Sequence, residues 1–185
     1  MRVISGSAKG RPLKAVPGMN TRPTTDKVKE AIFSMIGPYF DGGSVLDLFA
    51  GTGGLGIEAL SRGMEKGIFV DIEKKSLDTI RHNLEAAKLS DRAEVYRNDA
   101  KRALKILAKR NQQFNLVFLD PPYRMKMIRE LIGQMEEDQL LCLESTIVVE
   151  HDASDEQEEQ IGRFCLVKRA DYGETAVSIY KVNAV

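Results

Sequence analysis

Val45-Leu46-Asp47-Leu48-Phe49-Ala50-Gly51-Thr52-Gly53-Gly54-Leu55-Gly56 joins a short apolar run to a helical pattern through glycines spaced G-x-G-x-x-G at 51, 53 and 56. Such glycines permit a tight turn and let a ligand approach the backbone with no Cβ in the way. The strand–turn–helix setting is what gives the spacing meaning. A strand feeding a helix in this manner opens an α/β sheet, whose ligands bind beyond the carboxyl ends of its strands.

The pattern repeats downstream. Strand-like runs occupy 45–49, 67–71, 93–98, 114–119 and 146–150, with helical stretches at 55–62, 74–88, 101–110 and 126–136 between them. Short continuous apolar strands alternating with amphipathic helices predict a parallel sheet covered on both faces. The end differs: runs at 164–169 and 176–181 flank Asp171-Tyr172-Gly173-Glu174, which predicts an antiparallel hairpin. Upstream, extended patches at 2–5 and 12–16, separated by Gly6 and Gly10, predict a small hairpin. Thr24-Thr25-Asp26 then opens a helix with capping oxygens. Val28, Ala31, Ile32, Met35 and Ile36 give that helix one apolar face, and Gly37-Pro38 stops it. The expected organisation is one domain over 1–185: a hairpin extension over 1–24, then a helix and an α/β core over 25–185.

Composition agrees. The chain has 185 residues, 43% hydrophobic and 29% charged, with 27 basic and 27 acidic side chains, which excludes a disordered, collagen-like or disulfide-scaffold chain. No apolar run approaches the roughly 18 residues of a membrane span, and residues 1–6 lack a signal peptide's apolar stretch. A cytoplasmic protein with no membrane partner is expected. Cys142 and Cys165 read as reduced structural thiols. The neutral net charge hides segregation. Residues 1–30 carry seven cations (Arg2, Lys9, Arg11, Lys14, Arg22, Lys27, Lys29) against Asp26 and Glu30, whereas 130–160 carry eleven acids and no lysine or arginine. The basic end is a candidate polyanion footprint, with a plain solvated arm as the alternative; the acidic stretch reads as a solvated face.

Carboxylates mark the strand ends. Asp71, 20 residues beyond Gly51, can accept both hydroxyls of a ribose. Asp47, four residues before the loop, would repel the pyrophosphate that a dinucleotide brings to the helix N-terminus but attract a cation. It therefore favours S-adenosylmethionine, with its sulfonium and α-ammonium, over NAD. Asp99 suits an adenine amino group, or equally an N-cap for the next helix. Asp120-Pro121-Pro122-Tyr123 ends the strand at 114–119 as a rigid loop. The Asp120 carboxylate and Pro121 carbonyl can accept from a planar NH₂ group, and Tyr123 can stack on the base that carries it.

In that order, Asp47 to Gly56, Asp71, Asp99 and Asp120 to Tyr123 resemble the class I S-adenosylmethionine-dependent amino-methyltransferases. Lys9-Gly10-Arg11 and Thr21-Arg22-Pro23-Thr24-Thr25-Asp26, leading into Lys27 to Phe33, resemble the RsmD-type branch. The likeness spans nearly the whole chain. It implies a Rossmann-like methyltransferase fold, with a mostly parallel seven-stranded sheet and an antiparallel C-terminal hairpin. It also implies methylation of the exocyclic N2 of a guanine in small-subunit rRNA, guanine 966 in standard rRNA numbering. The substrate would be free rRNA or an assembling 30S particle, the protein a monomer and metal-free. Carried over residue by residue, Asp47, Phe49, Ala50, Gly51, Gly53, Gly56, Asp71, Ile72, Asp99 and Ala100 would hold S-adenosylmethionine. Asp120, Pro121, Pro122 and Tyr123 would hold the amine, while Arg2, Lys9, Arg11, Lys14, Arg22 and Thr24 would meet RNA.

Rival readings are a DNA adenine or cytosine amino-methyltransferase, an enzyme for a different rRNA guanine, a nicotinamide oxidoreductase and a non-catalytic RNA-binding module. The first lacks a spare target-recognition segment. The oxidoreductase leaves Asp47 and the Asp-Pro-Pro-Tyr loop without purpose, and a silent module would have no use for a complete amine-holding loop. His82 and His151 have no metal-ligand spacing and read as structural or solvent-facing; Tyr172 could line a base pocket.

Overall fold

The computed structural model describes residues 1–18, 24–121 and 126–182. They form two compact units, Met1–Ala100 and Lys101–Val185.

The first unit contains α1 (Asp26–Ile36), β1 (Ser44–Asp47), α2 (Gly54–Ser61), β2 (Lys66–Asp71), α3 (Lys74–Ala86) and β3 (Ala93–Arg97). The strands run in the order β3-β2-β1, all parallel, with Asp47 opposite Phe69 and Asp71 opposite Arg97. Val45, Leu46, Ile68, Phe69 and Val70 are almost wholly buried, as expected of parallel strands covered on both faces. Thr25 caps α1 through its hydroxyl oxygen, which accepts from Val28 N–H. The buried face of α1 is turned from the predicted one: Lys29, Ile32 and Phe33 are buried, while Val28, Ala31, Met35 and Ile36 are only half-buried. Phe33 packs edge-on against Phe40 and under the Arg62 guanidinium, which draws that side inward.

Residues 1–16 make less sheet than a hairpin predicts. One bridge joins Arg2 to Pro12, flanked by bonds from Val3 N–H to Arg11 O, Gly10 N–H to Val3 O and Leu13 N–H to Met1 O. Side chains from the helices, rather than a ladder, hold this arm. Glu58 accepts from Ile4 and Ser5 N–H at 2.9 and 3.0 Å. Ser61 takes Ala8 N–H on its hydroxyl and Ser7 N–H on its carbonyl. A Cβ at Gly6 would lie 1.9 Å from Ser61 O, so only glycine lets the arm approach α2 this closely.

The second unit contains α4, which begins at the boundary (Ala100–Lys109), then β4 (Phe114–Leu119), α5 (Lys126–Glu137), β5 (Leu141–Asp152), β6 (Gln160–Ile161), β7 (Phe164–Tyr172) and β8 (Thr175–Val182). Its strand order is β4-β5-β8-β7-β6; β4 and β5 are parallel and the remaining pairs antiparallel. The fold class is the mixed α/β one expected, with parallel strands followed by antiparallel ones. Two details differ. The described strands number eight rather than seven, because Gly162, in the left-handed region at φ 58°, turns the chain so that Gln160–Ile161 pairs with Phe164 and Cys165. β5 starts five residues before the predicted 146, with a register shift against β4 between Phe114 and Leu116. The acidic stretch is also more than a solvated face, since Glu130, Glu136 and Glu158 pair with Lys101, Arg163 and Arg129. No helix among the described residues is long and apolar enough to cross a membrane.

Candidate functional site

The chain leaves β1 through Leu48 and Phe49 into the glycine loop. Ala50 N–H donates to Val70 O on β2, and Gly53 N–H returns to Ala50 O. Gly51 and Gly53 sit at φ 57° and 80°, in the left-handed region that side chains disfavour. At Gly51 a Cβ would meet nothing within 4 Å, so the backbone there is open to a ligand; at Gly56 it would lie 2.4 Å from the Phe69 ring. Gly51 therefore serves conformation and approach, Gly56 the packing of α2 on β2.

Asp47 is 4% exposed. Its Oδ2 accepts from Gly56 N–H at 3.2 Å, in the first turn of α2, where unpaired N–H groups and the helix dipole favour a negative charge. A carboxylate kept in so dry a place attracts a cation more strongly than one in water. Asp71, at the end of β2, accepts from Gly51 N–H on Oδ2 and from Glu73 N–H on Oδ1, both at 2.9 Å. Asp71 thus ties the glycine loop to the end of β2. Each oxygen keeps a second lone pair for a hydroxyl donor. Ile72, next to it, is 59% exposed, an apolar side chain left in water beside a carboxylate. Asp99 is exposed, its N–H bound to the Asn98 side chain, and it directly precedes Ala100, the first residue of α4. It lies two residues past Arg97, the β3 partner of Asp71. Asp47, Asp71 and Asp99 thus stand at the carboxyl ends of three neighbouring strands.

In the second unit, Asp120 follows the last residue of β4 and is exposed, with Pro121 half-buried after it. Pro122 and Tyr123 lie outside the described residues, as does Arg22 of the proposed RNA contacts. Arg2, Lys9, Arg11 and Lys14 are exposed and Thr24 is half-buried. Lys29 is not part of the exposed footprint. It is 1% exposed, donates to Arg2 O and lies 3.4 Å from Glu58. Burial pushes its pKa below the ordinary 10.5, opposed by attraction to Glu58 and Asp26.

Sequence reasoning overlooked two buried polar residues. Glu58, fully buried, receives Arg62 Nε at 2.8 Å besides Lys29 and the two arm N–H groups. An acid flanked by Ile57, Ala59 and Leu60 in a helix buried almost all round was the available signal, because a buried charge requires partners. Asn83, also fully buried, shares the inner face of α3 with Leu77, Ile80 and Leu84. Among the histidines, His82 is exposed. His151 Nδ1 donates to Asp152 O, and Nε2 shares a hydrogen bond with the Ser178 hydroxyl; burial lowers its pKa. Tyr172 is half-buried at the end of β7. No cluster of three or more His, Cys, Asp or Glu among the described residues could hold a metal ion.

Comparison with known proteins covers the chain end to end. The family model described as "Conserved hypothetical protein 95" matches residues 1–181. "Putative rRNA methyltransferase YlbH" of Bacillus subtilis (strain 168) is 56% identical over 181 residues, spanning 98% of both chains. "Ribosomal RNA small subunit methyltransferase D" of Escherichia coli (strain K12) is 30% identical over 184 residues, covering 100% of this chain and 91% of the relative. The solved structure "Putative methyltransferase yhhF from Escherichia coli" superposes with a TM-score of 0.81 at 31% identity, covering 100% of this chain and 99% of that one. With its glycine loop, its strand-end acids and relatives aligned along its whole length, this chain belongs to the Conserved hypothetical protein 95 family, the RsmD family that its motifs resemble.

Proposed function

We propose that this protein is an S-adenosylmethionine-dependent rRNA methyltransferase, acting as one domain and a monomer on the exocyclic N2 amine of a guanine in small-subunit rRNA, guanine 966 in standard numbering. The observation that carries the reading is the loop at 50–56. Its backbone is open at Gly51, a buried carboxylate, Asp47, sits behind it, and Asp71 ties it to the next strand. These residues fit the cofactor: Asp47 suits a cationic amino-acid end, Asp71 the ribose, exposed Ile72 a face of the adenine and Asp99 its amino group. Phe49, Ala50, Gly53 and Ala100 would shape the wall, and Gly56 would contribute by holding Asp47 through its N–H. The whole-length relation to proteins named as rRNA methyltransferases supports the substrate class.

When bound, the cofactor supplies an electrophilic methyl on a sulfonium. Asp120 and the Pro121 carbonyl would accept from the guanine NH₂, holding its lone pair toward that methyl, with Pro122 and Tyr123 completing the loop. Positioning of this kind is worth roughly 7–11 kcal/mol at best. The same oxygens would stabilise the positive charge growing on nitrogen during the in-line displacement. With S-adenosylhomocysteine as the neutral leaving group, the methylated ammonium would give its extra proton to water, and no strong base is needed because that ammonium is far more acidic than the amine. The target base must be unstacked or already exposed. Arg2, Lys9, Arg11, Lys14 and Arg22 would follow the RNA phosphates, beside Thr24.

The test is methyl incorporation from labelled S-adenosylmethionine into small-subunit rRNA, with nucleoside mass analysis. N2-methylguanosine is expected at one site, and Asp120→Ala should lower the rate about 100-fold or more with cofactor affinity roughly unchanged. Methyl transfer to DNA, label in another nucleoside, or full activity in the variant would overturn the reading.

A further inference from the structure

Asn83 stands where the basic arm meets the glycine loop. Its Oδ1 accepts from Lys14 N–H at 2.8 Å, and its Nδ2 donates to Lys14 O at 3.0 Å and to Thr52 O at 2.9 Å. The amide orientation is dictated by its partners: two carbonyls can only accept and one N–H can only donate. A single side chain thus grips both backbone groups of an arm residue and spends its remaining donor on the loop. Thr52 lies between Gly51 and Gly53, both in the left-handed region, where glycine allows the chain the most alternatives. The Thr52 hydroxyl also accepts from the N–H of Gly54, the first residue of α2. Lys14 and Ala15 are exposed while Leu13 before them is buried, and α3 gives this stretch a fixed point through the buried Asn83 amide.

We propose that Asn83 is a positioning residue coupling the arm to the loop, so that a nucleoside ligand on the loop and RNA on the arm strengthen each other's binding. This deepens the proposed function and rests on it. The physical basis is shared ordering. Whichever ligand binds first fixes Thr52, Asn83 and Lys14 together, and the second then loses less conformational entropy. Linkage makes the effect reciprocal, with a usual size of about 5- to 150-fold.

The experiment uses S-adenosylhomocysteine, which cannot turn over, and a small-subunit rRNA transcript. Its dissociation constant is measured by calorimetry with and without saturating RNA. The wild type should bind S-adenosylhomocysteine at least about 5-fold more tightly with RNA present. Asn83→Asp, isosteric but without a donor for the two carbonyls, should reduce that ratio below about 2-fold while still binding each ligand alone. A second measurement needs no variant. Adding S-adenosylhomocysteine without RNA should slow hydrogen exchange at the Lys14 amide of the wild-type protein. If the wild type binds both ligands without coupling, if the variant retains the ratio, or if Lys14 exchange is unchanged, the inference falls and the functional reading stands. If the wild type binds neither ligand, the functional reading falls and takes the inference with it.

Discussion

Replacing Glu58 by glutamine changes almost no volume but removes the negative charge at the centre of a buried cluster. The carboxylate is fully buried, as are its two cations, Lys29 at 1% and Arg62 at 6% exposure. Removing one partner of a buried ion pair costs about 3–5 kcal/mol, because the remaining charge is left uncompensated. Here two cations remain, with Asp26 at 3.8 Å as the nearest other carboxylate for Lys29. A glutamine oxygen can still accept one of the arm N–H groups, so a loss of about 4 kcal/mol is expected. At about 2–4 °C per kcal/mol for a chain this size, the midpoint should drop by roughly 8–16 °C. The loss also depends on pH in a definite sense. A lysine whose folded pKa lies below its unfolded one binds fewer protons in the folded state between those two values, so stability rises with pH across that window. Taking Glu58 away removes the main attraction that keeps the Lys29 pKa up, which extends the window downward. The deficit of Glu58→Gln relative to wild type should therefore be greatest at pH 7 and smaller at pH 10, measured by urea unfolding. A deficit below about 1 kcal/mol at pH 7, too small for a broken buried pair, or one as large at pH 10, would refute the assignment of a charged Lys29–Glu58–Arg62 cluster.

Gly56→Ala drives a Cβ into the Phe69 ring at 2.4 Å; it should cost about 1–3 kcal/mol by overpacking and weaken S-adenosylhomocysteine binding in calorimetry through displacement of Asp47. Lys9→Glu with Arg11→Glu should weaken rRNA binding and flatten its logarithmic salt dependence by roughly 0.7–0.9 for each phosphate no longer neutralised, a slope that filter binding at several salt concentrations measures. Burial holds the His151 pKa below 6.5, so acidification protonates the unfolded chain first and stability falls as pH drops below about 6.5. Urea midpoints at pH 7 and pH 5 should differ less for His151→Gln than for the wild type.

The parallel half of the fold was legible because each strand and helix announced itself through local pattern: apolar runs at 67–71 and 114–119, and three glycines at one junction. The placement of the candidate acids was legible for the same reason, since Asp47, Asp71, Asp99 and Asp120 all lie at or just past the ends of strands. What escaped notice depends on distant partners. Lys29 looks like one more surface cation until Glu58, 29 residues on, is found beside it. The predicted inner face of α1 was turned because Phe33 answers to Phe40 and Arg62 rather than to its own helical neighbours. β6 is two residues long and too brief for any periodicity to reveal. Asn83 could have been suspected, as an amide among Leu77, Ile80 and Leu84, but nothing local says that Lys14 and Thr52 are its partners.

The pinning of the arm to α2 and α3 bears on the order in which the chain acquires its form. Synthesis proceeds from the first residue onward, so the arm emerges well before its anchors: Glu58 is 54 positions after Ile4, and Asn83 is 69 after Lys14. Contacts so remote along the chain must wait for a large loop to close. This cationic arm can therefore take its final place only once α2 and α3, which carry those anchors, have been made.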